Sequence, residues 1–503
     1  MQIEPEYGAF VQAHEQGKAQ VVWSRLIADL ETPVSAMLKL GGGAKNAFLL
    51  ESVEGGAVRG RYSIIGLDPD LVWRARGACA EIDRAPAGAG GFVQCGEPTL
   101  DALRALIAES AIELPDEVPP MAAGVFGYMG YDTVRLIEHL PDEPPDPLGL
   151  PDALFIRPSA MVIFDAVRDE ITVVVPVRPE ATLPASQAHA RAVERISQVI
   201  DRLDAPLVHP PAAASDEAMG EPISNTAPDE FHDMVRRAKA YIEAGDVFQV
   251  VLSQRFEADY RLSPFSLYRA LRRVNPSPFL FFLDFADFAV IGSSPEILVR
   301  VRDGRVTIRP IAGTRPRGAT PEADRENARS LLADPKERAE HLMLLDLGRN
   351  DIGRVAEIGT VEVTDQFFLE HYSHVMHIVS NVEGRLGRCH DAIDALAAGF
   401  PAGTVSGAPK VRAMQIIDEL EKEKRGIYAG CVGYFSADGD MDTCIVLRTA
   451  IVKDGRMYVQ AGAGIVADSD PDYEQAECIA KARALFRAAD EAVRFAAAPS
   501  RGQ

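Results

Sequence analysis

Four glutamates, in two pairs, have a spacing suited to a metal site on two helices. Glu337 and Glu340 are three positions apart, and so are Glu474 and Glu477. Residues three apart lie on one face of an α-helix, so two such faces can surround one hard cation. Mg²⁺ prefers a few carboxylates together with water and an anionic ligand. Taken alone, each pair is more typical of a solvated helix face, because charged side chains are mostly exposed.

One arginine lies in an apolar segment where an anion would be needed. Residues 443–450 have the pattern of a strand, in which Arg448 shares a face with Cys444, Val446 and Ala450. A charged group among such neighbours needs an anionic partner. A substrate carboxylate and a structural ion pair both satisfy that need.

Gln249 is the polar residue of an apolar segment predicted as a strand over 247–256. It shares a face with Val251 and Ser253. A side chain that reaches a site and a side chain on a solvated face both fit this pattern.

Glycines at 462 and 464 follow a predicted strand at 457–460 and fit the pattern G-x-G-x-x-A. Too few residues follow position 467 for the second strand and the ribose-binding acid of a dinucleotide fold. The glycines instead predict a close approach of backbone N–H groups to a ligand carboxylate. The sequence also lacks G-x-x-x-x-G-K-[ST], which excludes a P-loop.

The elements that must position these groups come in blocks of strands and helices. Apolar spacing predicts helices at 186–203, 336–347 and 472–487, among mostly antiparallel strands. Such blocks favour an α+β fold over a doubly wound sheet. The segment 203–227 is rich in Pro, Ala and Ser and is predicted to be a linker or long loop.

Composition excludes several classes of function. The 503 residues carry a net charge of −22, which argues against nucleic acid and anionic membranes as partners. No apolar stretch is long enough to cross a membrane, and the acidic N-terminus lacks a secretory signal. Six dispersed cysteines contain no C-x-x-C pair, so a zinc ribbon is not expected. We therefore expect a cytoplasmic enzyme.

Four longer motifs add a resemblance to a known family. They are PAGTVSGAPK at 401–410, GSSPE at 292–296, DLGRND at 346–351 and AGAGIV at 461–466. With 49–52 and 124–128, these motifs resemble the chorismate-utilising enzymes. The resemblance implies large, mostly antiparallel sheets packed as a sandwich with helices outside. It also implies an N-terminal domain at 1–202, the linker at 203–227, a chorismate-binding catalytic domain at 228–490 and a tail at 491–503.

The resemblance assigns roles by motif position. Glu296 would protonate the departing C4 hydroxyl of chorismate, and His377 would assist the loss of pyruvate. Glu340 and Glu477 would bind Mg²⁺ directly, while Glu337 and Glu474 would hold its water ligands. The cation would bind the ring carboxylate. The groups expected to bind the other carboxylate or to line the pocket are Arg448, Lys481, the backbone of Gly462 and Gly464, Thr404, Tyr428, Gly313 and Thr314.

Two positions distinguish activities within the family. Members that add water to chorismate have a lysine base where this chain has Gln249, and an amide cannot take up a proton at neutral pH. Some aminodeoxychorismate synthases have a nucleophilic lysine where this chain has Ala312. The resemblance therefore implies conversion of chorismate and ammonia to anthranilate and pyruvate, the first committed step of tryptophan biosynthesis. One alternative is an enzyme that synthesises aminodeoxychorismate. A second alternative is a tryptophan-binding regulatory protein without catalytic activity.

The resemblance also implies an inhibitor and a partner. Residues matching the tryptophan site of the family are Leu50, Glu51, Ser52, Pro278, Phe279, Leu280, Val432, Tyr434 and Cys444. Phe279 and Leu280 replace the usual Tyr and Met. The segment AGCVG at 429–433 lacks the first glycine of a nucleophile elbow, and no histidine follows His390. We therefore expect a separate glutamine amidotransferase subunit to supply ammonia.

Overall fold

The computed structural model describes residues 1–41, 45–54, 58–88, 90–180, 182–207, 220–372 and 375–496. Part of the predicted linker, 208–219, and the end of the predicted tail, 497–503, lie outside these residues. Strands and helices are numbered below in chain order.

Within the described ranges, one sheet has twelve strands, all of whose pairings are antiparallel. In spatial order they are β1 (Gln20–Ile27), β10 (Glu170–Val177), β9 (Ala160–Asp165), β3 (Val58–Leu67), β2 (Ala47–Glu54), β13 (Phe279–Asp284), β14 (Phe288–Ser294), β23 (Thr449–Lys453), β24 (Arg456–Ile465), β12 (Gln249–Asp259) and β11 (Ile223–Ser224), with β20 (Gly407–Ala408) paired to β12.

The second sheet, counted over the same ranges, also has twelve antiparallel strands. Their order is β17 (Ile311–Pro316), β19 (Val375–Arg385), β16 (Arg305–Ile308), β15 (Ile297–Arg302), β22 (Met441–Ile445), β21 (Cys431–Ser436), β7 (Gly124–Met129), β8 (Ala153–Arg157), β4 (Leu71–Arg76), β5 (Cys79–Asp83) and β6 (Val93–Gln94), with β18 (Glu362–His371) paired to β19.

Helices cover the outer faces of both sheets. They are α1 (Tyr7–Glu15), α2 (Pro33–Gly41), α3 (Thr99–Glu109), α4 (Ala185–Asp204), α5 (Pro228–Glu243), α6 (Pro264–Val274), α7 (Pro321–Ala333), α8 (Pro335–Gly353), α9 (Ala392–Gly399), α10 (Lys410–Leu420) and α11 (Pro471–Ala496), with 3₁₀ turns at Tyr131–Leu136 and Gly403–Val405. Among the described residues, no helix combines the length and the apolar character that a membrane span requires.

The core lies in three layers because strand side chains alternate between two faces. In β2, Ala47 and Leu49 pack against the outer helices, whereas Phe48 points between the sheets. There its ring stacks on Phe126 of β7, with 4.7 Å between centroids. Since both faces are covered, these strands have continuous apolar runs. The predicted α+β sandwich with outer helices is confirmed.

Both sheets contain strands from each side of the predicted linker. β2 pairs with β13 in the first sheet, and β7 pairs with β21 in the second. The two predicted domains therefore share both sheets, and their boundaries stay a prediction. The C-terminal helix α11 continues through Ala496, so residues 491–496 of the predicted tail are helical.

Candidate active site

Two crossings of the chain from one sheet to the other lie side by side at the site. Glu296 lies between β14 of the first sheet and β15 of the second, and Arg448 lies between β22 and β23. The backbone N–H of Ile445 donates to the carbonyl of Glu296 at 3.0 Å, and that of Ser293 donates to the carbonyl of Arg448 at 3.2 Å. These bonds hold a carboxyl group and a guanidinium group in neighbouring segments.

Glu296 is buried in a site that favours its neutral form. Its carboxyl accepts a hydrogen bond from the Thr404 hydroxyl at 3.2 Å and another from the backbone N–H of Ile311. Burial raises the pKa of Glu296 from its usual 4.5 to about 8, and the two hydrogen bonds offset this only in part. The carboxyl therefore holds a proton at neutral pH and can act as a general acid.

His377 of β19 is held in place by β17. Its Nδ1 lies 3.0 Å from the Thr314 hydroxyl and 3.2 Å from the carbonyl of Gly313, which adopts φ +79° in a bulge of β17. Burial, and then the charge of Arg448, lower the pKa of His377 to about 4. When Nδ1 carries the ring proton, it donates a hydrogen bond to the Gly313 carbonyl. Nε2 of the neutral ring is then an acceptor.

The prediction that residues 443–450 form one strand is wrong. β22 ends at Ile445 in the second sheet, and β23 begins at Thr449 in the first, because long-range pairing separates the two halves of the segment. Arg448 has φ +49° at this crossing. Burial lowers the pKa of its guanidinium, and across the described ranges it forms no ion pair with a carboxylate. The structural ion pair is thus not found, and the guanidinium is available to an anion.

Gln249 is buried, so the interpretation of a solvated face is wrong. Its side-chain oxygen has no hydrogen-bond partner within the described residues. Its Nε2 faces Gly464, where a Cβ would come within 2.6 Å. A Cβ at position 464 would therefore displace the Gln249 amide.

Gly462 lies inside β24, as does Gly464, and not in a turn after a strand. A Cβ at Gly462 would lie 2.9 Å from the hydroxyl of Tyr428, which is buried beside it. Lys481 of α11 donates from Nζ to the Gly462 carbonyl at 2.8 Å. Continuous strand at these glycines agrees with the exclusion of a dinucleotide-binding turn.

The first turns of α8 and α11 bring the four predicted glutamates near one another. Burial, and then the neighbouring Glu337 and Glu477 carboxylates, raise the pKa of Glu340. Burial also raises the pKa of Glu474, with Glu477 adding to the effect. Arg315 pairs with Glu337 at 2.7 Å, and Lys481 pairs with Glu477 at 2.8 Å. The interpretation of a solvated helix face is wrong for Glu474, which is buried, whereas Glu340 is half-buried.

These carboxylates do not form a dense ligand cluster. Within the part of the chain that the structure describes, no three His, Cys, Asp or Glu side chains are grouped closely enough to hold a metal ion. The donor chemistry nevertheless fits Mg²⁺, which usually takes one or two carboxylates and keeps several waters. The resemblance assigns that role to Glu340 and Glu477, which lie on two different helices and interact electrostatically.

A buried ion pair joins several site segments and was missed in the sequence. Arg425 donates to both oxygens of Glu421, at 2.6 and 3.0 Å, and to the carbonyls of Val405 and Val251 at 2.7 and 2.6 Å. Val405 follows Thr404, and Val251 lies two residues from Gln249. The i, i+4 spacing of Glu421 and Arg425 is the signal that could have found the pair.

We expect Glu421→Gln to destabilise the chain by about 3 kcal/mol, because it leaves the buried Arg425 without a counter-charge. Urea unfolding followed by tryptophan fluorescence measures the change. The exposed pair Arg237–Glu419 supplies the control. Glu419→Gln should cost less than about 1 kcal/mol. Equal effects of the two substitutions would contradict this account.

All nine residues of the predicted tryptophan site line one cavity of about 960 Å³. They come from β2, β13, β21 and β22 and from Pro278 just before β13. The Glu51 carboxylate in its wall accepts hydrogen bonds from Arg272, at 2.6 and 2.9 Å, and from the Tyr268 hydroxyl. The cavity also reaches Tyr372, whose ring lies 5.4 Å from that of His377. Tyr372 was not identified from the sequence.

Comparison with known proteins decides the family. The model of a family described as chorismate binding enzyme matches residues 73–487. The chain belongs to the chorismate binding enzyme family. A relative of this chorismate-binding enzyme, anthranilate synthase component 1 of Cereibacter sphaeroides, is 56% identical over 97% of this chain and 98% of the relative. Anthranilate synthase component 1 of Pseudomonas aeruginosa is 48% identical over 92% of this chain and 94% of the relative.

Solved structures agree with the fold of this chorismate-binding enzyme. Anthranilate synthase component I from Streptococcus pneumoniae superposes with a TM-score of 0.74 at 40% identity, over 92% of this chain and 99% of that one. The menaquinone-specific isochorismate synthase of Escherichia coli superposes with a TM-score of 0.69 at 18% identity. The match covers 96% of this chain and 98% of that one. At that identity, the second likeness shows the fold alone.

Proposed function

We propose that the chain is the chorismate-converting component of an anthranilate synthase, a lyase that forms anthranilate and pyruvate from chorismate and ammonia. The similarity to relatives of that description over nearly the full length supports this function. The observation that carries it is the position of a protonated Glu296 at one crossing and, at the adjoining one, of Arg448, which forms no ion pair with any carboxylate of the described residues. Glu296 can protonate a leaving hydroxyl while Arg448 binds a substrate carboxylate.

The first half of the proposed reaction needs one proton from the protein. Arg448, Lys481 and the backbone of Gly462 and Gly464 bind the enolpyruvyl carboxylate. Ammonia forms a bond to C2 of the ring, the double bonds shift, the C4–O bond breaks, and the nitrogen then gives up a proton to solvent and becomes an amine. The oxygen takes the proton of Glu296 and leaves as water, so that Glu296 becomes a carboxylate.

The second half releases pyruvate as the ring becomes aromatic. The hydrogen at C2 is lost as a proton, the bond from C3 to the enolpyruvyl oxygen breaks with its electron pair on oxygen, and the resulting enolate takes up a proton at carbon to give pyruvate. Neutral His377, with Nε2 as an acceptor, is suited to assist this step.

Glu340 and Glu477 would hold Mg²⁺, with Glu337 and Glu474 on its water ligands. The bound cation would supply positive charge for the ring carboxylate at a site where the protein itself is acidic. Arg315 pairs with Glu337 and Lys481 pairs with Glu477, so the protein's own cations balance part of this negative charge.

Gln249 and Ala312 support ammonia as the nucleophile. The buried Gln249 amide offers no base for water, and Ala312 offers no nucleophile for a covalent intermediate. The alternative function, aminodeoxychorismate synthesis, is not favoured. Ammonia would come from a separate glutamine amidotransferase subunit in the cytoplasm.

The partner dependence has a direct test. The chain alone should form anthranilate from chorismate, Mg²⁺ and an ammonium salt. Glutamine should replace ammonium only after the amidotransferase subunit is added. A 4-amino product in place of fluorescent anthranilate would contradict the proposal.

We expect tryptophan to bind the 960 Å³ cavity and act as an inhibitor. Because a ligand that binds only the folded state stabilises it, tryptophan should raise Tm in a concentration-dependent way. Val432→Trp, which places an indole in the cavity wall, should reduce the shift. Glu296→Gln should keep it, because Glu296 does not line this cavity. No shift of Tm in the parent at millimolar tryptophan would contradict the assignment.

A further inference from the structure

A small cavity of about 30 Å³ adjoins the general acid. Its polar side chains are those of Glu296, Thr404 and Asp351, and its other walls are apolar groups and backbone. A water needs roughly 10–15 Å³ of such space and two to four polar partners. The cavity has that space, and the two carboxyls and the hydroxyl that line it are the polar partners.

Asp351 belongs to the last turn of α8 and has no part in the mechanism given above. Its carboxylate accepts a hydrogen bond from Lys410 at the start of α10, at 2.9 Å, and both side chains are one-tenth exposed. Burial raises the pKa of Asp351, while Lys410 and Arg354 act against that rise. The net effect is a raised pKa, so Asp351 takes up a proton more readily than an ordinary aspartate.

The proposed reaction creates a need for such a group. Glu296 gives up its proton in each turnover and must regain one before the next. Within the described residues, its carboxyl is hydrogen-bonded by the Thr404 hydroxyl and the Ile311 backbone, neither of which is an acid at neutral pH. The small cavity, which borders this carboxyl, offers a route for that proton.

We propose that a water in this cavity links Asp351 to Glu296 and returns the proton after each turnover. Protonated Asp351 gives its proton to the water, and the water passes one of its own protons to the Glu296 carboxylate. Asp351 is left as a carboxylate beside Lys410 and regains a proton from solvent. Asp351 acts through Glu296 and is thus a positioning and proton-supplying residue. The inference rests on the proposed role of Glu296.

Gly348 allows this route to be separated from a purely structural ion pair between α8 and α10. It borders the same cavity, and a Cβ there would lie 3.5 Å from Ile308 and 3.9 Å from Pro310, which are ordinary contacts. Alanine is also favoured over glycine inside a helix by roughly 0.5–1 kcal/mol. Gly348→Ala should therefore fill space that the water needs without weakening the fold.

The test compares Asp351→Asn and Gly348→Ala with the parent chain, after the parent has been shown to form anthranilate from chorismate and ammonium. We expect Asp351→Asn to lower kcat by about 10- to 100-fold with KM for chorismate within about twofold. Gly348→Ala should lower kcat with Tm unchanged or raised. Asp346→Asn, an exposed carboxylate of the same helix, is the control and should keep the parent kcat.

Two results would overturn the proposal. One is full activity of both variants. The other is that Asp351→Asn loses activity only in proportion to its loss of folded protein while Gly348→Ala is fully active. A parent chain that forms no anthranilate would instead overturn the proposed function.

Discussion

Glu296→Gln is expected to lower kcat for anthranilate formation by about 10²- to 10⁴-fold, the usual contribution of a general acid. Glutamine keeps the size of the side chain and its hydrogen bond from Thr404, but it has no proton to give to the departing hydroxyl. KM for chorismate should change little, because Arg448 and Lys481 remain. Steady-state kinetics with ammonium as the nitrogen donor measures the effect.

The pH dependence of the parent should show the same group. Because the pKa of Glu296 is raised to about 8, the acid form is present below that pH and is lost as the pH rises through it. The rate per molecule of unprotonated ammonia should therefore fall above about pH 8. The folded chain also holds a proton that the unfolded chain releases above its usual pKa of 4.5, so stability should fall between these values.

Glu296→Gln should remove that part of the decline in stability, which is measured by urea unfolding at several pH values. Glu362→Gln, an exposed carboxylate of β18, is the matched control and should change neither rate nor pH profile. A Glu296→Gln enzyme with the parent rate would contradict the assignment of the acid.

Glu477→Ala and Glu340→Ala are each expected to lower Mg²⁺-dependent activity by about 100-fold or more. Charge stabilisation by a bound cation contributes several kcal/mol, and each 1.36 kcal/mol is tenfold in rate. Each variant should also lose the rise in Tm that Mg²⁺ gives the parent, a result that does not depend on turnover.

The exposed Glu326 of α7 provides the control for these variants. Glu326→Ala should keep both the activity and the response to Mg²⁺. A Glu477→Ala chain as active as the parent, at the same Mg²⁺ concentration, would contradict the metal assignment.

Local patterns in the sequence predicted the acidic helices well. The i, i+3 spacing of Glu337 and Glu340 is a property of one helix turn, and Asp334 caps the helix by accepting from the N–H groups of Lys336 and Glu337. The sequence could not show that Glu340 lies beside Glu477, since that contact depends on how α8 and α11 pack. The resemblance to chorismate-utilising enzymes supplied it.

The two sheet crossings show why the rest of the site could not be predicted. Residues 443–450 have one continuous apolar pattern, yet Ile445 and Thr449 lie in different sheets because each half pairs with a different strand. The pKa of Glu296 likewise depends on burial by segments far away in the chain. A period-two pattern shows which residues of a strand lie on the same face of the sheet. It cannot show where the chain leaves one sheet and enters the other.

Product analysis of the purified chain with chorismate, Mg²⁺ and an ammonium salt, without any amidotransferase, tests the central claim most directly. Fluorescence and chromatography would follow anthranilate, and a coupled assay would follow pyruvate. The account predicts that both appear in equal amounts and that neither forms without ammonium. Isochorismate, a 4-amino product, or unreacted chorismate under these conditions would contradict it.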